Sequence, residues 1–284
     1  MAPTILDILQ ESESRLSGVD SPRLSAEVIV AEVLDCSRLT LVVDRERVLK
    51  DDQVALVRQM VARRETGEPL AYILGNREFY GLDFHVSSSV LIPRPETEHI
   101  IEKLEELYPA DAAFQFADLG TGSGILAVTI AHLFAQARGV AVDLSPDALA
   151  VAERNSLTHG VHDRLEFIEG DFTCSLLDTG VYDLIVSNPP YVPQQEYDDA
   201  SHEVRDYEPL TALVSGEDGL NHIRAMLPHV SKALKQGGIV LMEIGYQQGD
   251  AVKKIMSEQF PEFGEVDVLK DLSGHDRIVF LRKL

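Results

Sequence analysis

Tryptophan is absent from this chain of 284 residues, and cysteine is scarce, with only Cys36 and Cys174. The two cysteines lie far apart and form no CxxC pair, which excludes a disulfide framework and suits reduced thiols in a reducing compartment. The nine histidines are scattered, with no HxxxH or Cys/His spacing that could collect a metal ion. We therefore predict no metal site.

Basic residues are also few, since 25 Lys and Arg stand against 47 Asp and Glu and give a formal charge of −22. Such a surface repels phosphate backbones, so direct nucleic-acid binding is disfavoured, although a local basic patch would escape this argument. The N-terminus lacks a basic segment, and no apolar run approaches the ~18 residues of a membrane span. We expect a cytoplasmic protein that does not contact a membrane.

The 45% of apolar residues suffices for a large domain and a small one. Residues 1–75 carry apolar residues at helical spacing, which predicts a small α-helical bundle domain. Residues 76–92 combine aromatic and β-branched residues around a glycine, which indicates a β-hairpin linker. Residues 93–284 alternate short apolar runs with amphipathic segments, which predicts an α/β domain with a parallel sheet covered by helices.

A glycine-rich loop follows the first predicted strand of the α/β domain and opens a helix. Its glycines let the backbone turn tightly and approach a ligand, and free N–H groups lie at the helix start. The spacing is GxGxG rather than GxGxxG, and the lysine of a P-loop is missing, which disfavours NAD and ATP. A turn without a ligand is the alternative. The predicted cofactor contacts are Asp118, Gly120, Thr121, Gly122, Ser123 and Gly124.

Three further candidate residues follow the next two strands. Asp143 can accept hydrogen bonds from both ribose hydroxyls, or else serve the start of the next helix. Asp171 can accept from an adenine amino group and Phe172 can cover the purine, although, taken alone, the pair is better explained by a solvated carboxylate and a core ring. Together, three loops at the carboxyl ends of successive strands suit an adenosine with an amino-acid tail, which points to S-adenosylmethionine.

The tetrapeptide Asn188, Pro189, Pro190, Tyr191 ends the fourth strand. Two prolines remove two N–H groups, so a stiff backbone presents carbonyl acceptors. The Asn188 side chain and the Pro189 carbonyl could hold a planar nitrogen during methyl transfer, and Tyr191 could stack on it. We predict that Asn188, Pro189 and Tyr191 are catalytic and that all four bind substrate. An ordinary strand-ending turn is the alternative.

Long blocks of the sequence resemble the HemK/PrmC protein-(glutamine-N5) methyltransferases, which modify peptide chain release factors. The resemblance runs over nearly the whole chain and is most diagnostic in the segment from Ile92 to Glu98, with sequence IPRPETE. The other blocks are Ser21-Pro22-Arg23 with Ala26-Glu27, residues 68–75, 77–82, the glycine loop, the tetrapeptide, Tyr207-Glu208-Pro209 and residues 216–220.

The resemblance implies a class I (Rossmann-like) fold with a seven-stranded sheet behind a helical domain that helps to bind the release factor. It also implies that the substrate is the glutamine of a Gly-Gly-Gln loop and that Asn188 contacts the cofactor as well. Relatives often have Trp where this chain has Phe172. The net acidity also suits a protein partner, and acidic residues 196–206 are either a solvated loop or a mobile lip that meets a basic partner.

Two other functions stay open from the residues alone. The tetrapeptide also occurs in adenine-N6 DNA methyltransferases and in some guanine-N2 rRNA methyltransferases, which would need a basic groove and a way to extract the base. A non-catalytic cofactor-binding module is the second alternative, and the intact tetrapeptide argues against it.

Overall fold

A computed structural model describes residues 2–284. They divide into two compact units: the first comprises the chain up to Asn76 together with Ser201–Tyr207, and the second comprises Arg77–Ala200 and Glu208–Leu284. As functional domains, the bounds predicted from the sequence stay a prediction. The assignment of Ser201–Tyr207 to the first unit is a feature that those bounds did not contain.

The first unit is helical because its apolar residues recur on one face of each helix and meet in a common core. A capping box begins α1, in which Thr4 and Asp7 exchange hydrogen bonds. The helices are α1 (Ile5–Arg15), α2 (Pro22–Val33), α3 (Arg38–Val43), α4 (Asp51–Glu65), α5 (Leu70–Leu74) and, from the returning segment, α10 (His202–Tyr207).

Two interactions join α10 to α4 and the residues that follow it. The guanidinium of Arg64 is only 3% exposed, and its Nη2 lies 3.0 Å from Glu203 Oε2. The Tyr207 hydroxyl donates to the Thr66 carbonyl at 2.9 Å. Glu203, one of the acidic residues considered for a mobile lip, is therefore paired within the first unit.

The predicted hairpin is formed by β1 (Asn76–Phe79) and β2 (Leu82–His85) and, apart from Asn76, belongs to the second unit. Phe79 and Phe84 are buried in the same core as the helices on one face of the large sheet. The helices of this unit are α6 (Glu98–Leu107), α7 (Ile125–Leu133), α8 (Pro146–Thr158), α9 (Gln194–Asp198), α11 (Asn221–Ala233) and α12 (Gly249–Gln259).

Seven strands form the large sheet in the order β5-β4-β3-β6-β7-β9-β8. Neighbours from β5 to β7 are parallel, whereas β9 runs antiparallel to both β7 and β8. The strands are β3 (Gln115–Leu119), β4 (Arg138–Asp143), β5 (Leu165–Glu169), β6 (Tyr182–Ser187), β7 (Leu234–Glu243), β8 (Phe263–Lys270) and β9 (Asp276–Lys283). The α/β class and the seven-stranded sheet expected from the sequence are confirmed.

The direction of strand progression reverses between β3 and β6. Chain order runs outward from β3 to β4 and β5 on one side, and the chain then returns to β6 on the other side. In open α/β sheets a ligand crevice forms at such a point, beyond the carboxyl ends of the strands. Apolar cores fill both faces of the sheet, one beneath α6 and α7 and the other beneath α11 and α12.

Candidate active site

A cavity of about 350 Å³ lies at the carboxyl ends of β3, β4, β5 and β6. All its lining residues belong to the second unit. The predicted site residues that line it are Asp118, Gly120, Thr121, Gly122, Ser123, Asp143, Asp171, Phe172, Asn188 and Pro190. Gly124, Pro189 and Tyr191, which the sequence analysis also selected, do not line this cavity.

The glycine loop takes a backbone path that side chains would oppose. Gly120, Gly122 and Gly124 have φ values of 74°, 55° and 82°, in the left-handed region that favours glycine. A Cβ on Gly120 would lie 3.3 Å from the Phe172 ring, and one on Gly124 would lie 3.0 Å from the Cβ of Ala152. The absence of a side chain at Gly120 therefore leaves room beside the Phe172 ring, whereas at Gly124 it allows the loop to pack closely against Ala152.

Asp118 is the most deeply buried charged group of the cavity lining, at 1% exposure. Its Oδ2 accepts hydrogen bonds from the Thr121 hydroxyl at 2.7 Å and from the Ala127 N–H at 3.1 Å. Its Oδ1 is buried and has no hydrogen-bond partner among the described residues. Burial raises the pKa of Asp118 to about 7, because the charged form lacks water. A ligand cation would satisfy this carboxylate.

Asp143 ends β4 and shapes the loop beside it. Its Oδ2 accepts from the Gly122 N–H at 2.8 Å and its Oδ1 from the Ser145 N–H at 2.9 Å. Ser145 in turn caps α8, with Pro146 in its first turn. Burial raises the pKa of Asp143 despite these hydrogen bonds. Each oxygen keeps a second lone pair, so the carboxylate can still accept from ligand hydroxyls.

The loop after β5 places Asp171 and Phe172 in the cavity lining. Asp171 Oδ1 accepts from the Thr173 N–H at 2.8 Å and from its hydroxyl at 2.6 Å, and these bonds hold the pKa of Asp171 low. The Phe172 ring packs 5.9 Å from the ring of His222. His222, which also lines the cavity, carried no sequence motif and was missed.

The tetrapeptide is held by a buried polar network that sequence reasoning did not find. Asn188 Nδ2 donates to Thr97 Oγ1 at 3.0 Å, and Thr97 donates to Glu243 Oε2 at 2.6 Å. The Tyr191 hydroxyl donates to Glu243 Oε1 at 2.8 Å. Gln248 Nε2 donates to the Tyr191 carbonyl at 2.9 Å. The cavity wall at Asn188 is therefore fixed by side chains from distant parts of the chain.

Burial dominates the electrostatics of this network. Thr97 and Glu243 are fully buried, and burial raises the pKa of the Glu243 carboxyl. The charge of Arg277 acts in the opposite direction. Burial and the neighbouring Glu243 carboxylate also raise the pKa of the Tyr191 hydroxyl well above its usual value, so this hydroxyl stays protonated. The sequence signal was partial, since Thr97 lies in the diagnostic Ile92–Glu98 segment.

The same segment contributes Arg94 to the cavity lining. Its Nη2 lies 2.7 and 2.9 Å from the two oxygens of Glu208, whose side chain is buried. Glu208 also accepts a long hydrogen bond from the Ile92 N–H at 3.4 Å. These contacts hold the Ile92–Glu98 segment against Glu208, which directly follows α10.

Two other kinds of site are absent from residues 2–284. No group of three or more His, Cys, Asp or Glu side chains is arranged to hold a metal ion. No helix in this range combines the length and the apolar character that crossing a membrane requires.

Comparisons with known proteins agree with this architecture. A family model of the PrmC N-terminal domain matches residues 7–75, and a model of the methyltransferase small domain matches residues 96–204. Among solved structures, the hMettl16 catalytic domain in complex with MAT2A 3'UTR hairpin 6 is similar, with a TM-score of 0.57 and coverage of 82% of each chain. At 16% identity this likeness shows a shared fold alone.

Curated relatives are more similar in sequence. A release factor glutamine methyltransferase of Nitratidesulfovibrio vulgaris is 45% identical, over 99% of this chain and 95% of the relative. One of Koribacter versatilis is 43% identical, over 93% of this chain and 92% of the relative. With this identity over nearly its full length, the chain belongs to the release factor glutamine methyltransferase family, enzymes of the class I fold that use S-adenosylmethionine.

Proposed function

We propose that this protein transfers the methyl group of S-adenosylmethionine to the side-chain amide nitrogen (N5) of the glutamine in the Gly-Gly-Gln motif of peptide chain release factors. The observation that carries the proposal is that Asn188 and Pro190 line the same cavity as the glycine loop and Asp143. A planar nitrogen held at the tetrapeptide would therefore lie beside the cofactor. The family relationship supplies the substrate.

The residues of the cavity fit this cofactor. The unpartnered Oδ1 of Asp118 suits the ammonium group of an amino-acid tail, and the Asp143 carboxylate suits the ribose hydroxyls. Gly120 and Gly122 leave the backbone open to a close approach, and Phe172 offers a ring face for the adenine. Thr121, Ser123, Asp171 and Asn188 complete the proposed contacts, while Gly124 acts through packing.

The bound cofactor supplies an electrophilic methyl group, and the protein orients the nucleophile. An amide nitrogen is a poor nucleophile because its lone pair is delocalised. Asn188 Oδ1 accepts one of its N–H groups from within the cavity lining, and the carbonyl of Pro189, which lies outside that lining, is the proposed acceptor for the other; these bonds fix the direction of the nitrogen and stabilise the positive charge that grows on it. Pro189 and Pro190 have no N–H that could compete. The methylated amide then loses a proton to water, so no general base is required.

The biological setting follows from the proposed substrate. Release factors act in translation termination, which places the enzyme in the cytoplasm. We propose that the helical domain of residues 1–75 recognises the release factor. We also propose that Tyr191, which lies outside the cavity lining and is held by Glu243 and Gln248, borders the glutamine once the substrate is bound. Contact with nucleic acid or membrane is not part of this function.

A substrate panel with labelled S-adenosylmethionine tests the proposal. We expect label in the release factor and none in DNA or rRNA, and mass spectrometry should place one methyl group on the glutamine of the Gly-Gly-Gln peptide. Asn188→Ala should abolish transfer while cofactor binding persists. Label in DNA or rRNA alone would overturn the protein substrate, and cofactor binding without transfer to any of the three would favour a non-catalytic module.

A further inference from the structure

The hydrogen bonds around Thr97 determine how the Asn188 side-chain amide is oriented. Thr97 lies in a short 3-10 helix, Pro95–Thr97, and Glu243 ends β7, so the network joins two elements that are far apart in the chain. Thr97 and Glu243 are both fully buried, and water cannot substitute for either partner. The directions of the hydrogen bonds are therefore determined by the protein groups themselves.

Those directions follow from the donors available. In the ionised form of Glu243, which the two hydroxyl donors and Arg277 favour against its burial, both carboxylate oxygens only accept, so Glu243 takes the hydroxyl protons of Thr97 and Tyr191. Thr97 has then used its only proton, and its oxygen can interact with Asn188 only as an acceptor. The Asn188 amide must present Nδ2 to Thr97, at 3.0 Å. Its Oδ1 is left for the cavity that Asn188 lines.

We infer that Glu243, acting through Thr97, is a positioning residue that sets the Asn188 amide with its acceptor oxygen toward the substrate. This inference rests on the proposed function, in which Oδ1 accepts an N–H of the glutamine. With the amide turned over, Asn188 would present a donor to a donor and repel the substrate nitrogen. The carboxylate of Glu243 selects one of two orientations that occupy nearly the same volume.

Nearly isosteric variants separate this role from packing. Thr97→Val removes the hydroxyl, and Glu243→Gln leaves one acceptor and one donor where two acceptors are needed. Thr97→Ser keeps the hydroxyl and should restore most of the lost rate. Thr129→Val is the matched control, because Thr129 is also fully buried, lies in α7, and its hydroxyl has no partner among the described residues.

Steady-state kinetics with the full chain, S-adenosylmethionine and release factor give the readout. We expect Thr97→Val and Glu243→Gln to lower kcat by on the order of ten- to a hundredfold, with a smaller change in KM, because the contact strengthens as charge grows on the nitrogen. Cofactor Kd should stay within about twofold. The double variant should be no slower than the slower single variant, since both act in series on one amide.

Several results would overturn the inference. They are full activity of Thr97→Val or Glu243→Gln, a rate for Thr97→Ser as low as that for Thr97→Val, or losses that add in the double variant. A fall in cofactor affinity or melting temperature that accounts for the lost rate would assign the network to structure alone. Absence of methyl transfer by the wild-type chain would instead refute the proposed function.

Discussion

At the scale of single residues, the cavity contains a deeply buried carboxylate, Asp118, of which only one oxygen is hydrogen-bonded by the protein. Asp118 has one satisfied oxygen and one unpartnered oxygen, and its pKa is raised to about 7. The ionised form of such a buried carboxylate is unfavourable unless a cation lies beside it. The free enzyme therefore binds a proton near neutral pH that a cationic ligand displaces.

Cofactor affinity should consequently depend on pH. In the proposed contact the ammonium group favours ionised Asp118, so affinity should weaken as pH falls below about 7, approaching tenfold per pH unit. Burial lowers the pKa of His222, so over pH 6.5–8 this neighbour adds less positive charge than an ordinary histidine would. Calorimetric titration of S-adenosylmethionine over this range provides the measurement. Asp118→Asn should bind more weakly at pH 8 with a flat profile, and an unchanged slope in this variant would contradict the assignment.

At the scale of elements, the register of β3 and β4 depends on one small residue. Gly139 pairs with Phe116 across the two strands, and a Cβ on Gly139 would lie 2.3 Å from the Phe116 ring. Phe116 is fully buried within an apolar core. The glycine therefore allows the ring to cover β4 from within the core.

Gly139→Ala should destabilise the second unit by about 1–3 kcal/mol, because the ring must leave its preferred position in a packed core. Chemical denaturation followed by circular dichroism measures the change. Gly18→Ala is the control, since a Cβ there meets nothing within 4 Å, and it should change stability by less than about 0.5 kcal/mol. Equal stability of the two variants would show that the ring adapts freely.

A second element-scale feature is the attachment of α10. Its Tyr207 hydroxyl donates to the Thr66 carbonyl, and its Glu203 pairs with buried Arg64. These contacts belong to the first unit, although the segment departs from the second unit and returns to it. Segment 201–207 is therefore anchored by a few polar contacts.

Tyr207→Phe should loosen this segment. Loss of a hydrogen bond of about 1 kcal/mol would speed amide exchange in residues 201–207 by roughly fivefold. Hydrogen–deuterium exchange with mass spectrometry detects the change. Tyr246→Phe, at a half-exposed tyrosine of the second unit, should leave exchange in this segment as it was. Identical exchange in Tyr207→Phe and the wild type would mean that Arg64 and Glu203 suffice.

At the scale of the whole molecule, charge is the dominant property. The formal charge of −22 gives a field that attracts basic partners and repels phosphate. Long-range attraction of this kind accelerates association and is screened by salt within about 10 Å at 0.1 M. The field acts on a macromolecular partner far more than on a ligand enclosed in the cavity.

Salt should therefore weaken binding of the release factor more than binding of the cofactor. We expect KM for the release factor to rise several-fold between about 50 and 300 mM NaCl, while cofactor Kd changes by less than about twofold. Initial rates at saturating cofactor measure the first quantity, and calorimetry measures the second. A release-factor KM that is insensitive to salt would show that association depends on apolar contacts instead.

The sequence by itself determined everything that rests on local pattern. Strand and helix alternation predicted the α/β class, and glycines and carboxylates at strand ends predicted a cofactor crevice, because parallel strands bring their carboxyl ends to one edge. Block resemblance identified the family. Each of these signals is a pattern among residues close together in the chain, so each can be identified without knowledge of the fold.

Only the tertiary structure decided which groups complete the site. Thr97 and Glu243 are 146 residues apart, and nothing near either one shows that they meet beneath Asn188. His222 and the pair Arg94 and Glu208 likewise come together only when the sheet is assembled. A buried hydrogen bond forms only when both of its groups are in position. For these pairs the two groups are far apart in the chain and meet only in the folded protein.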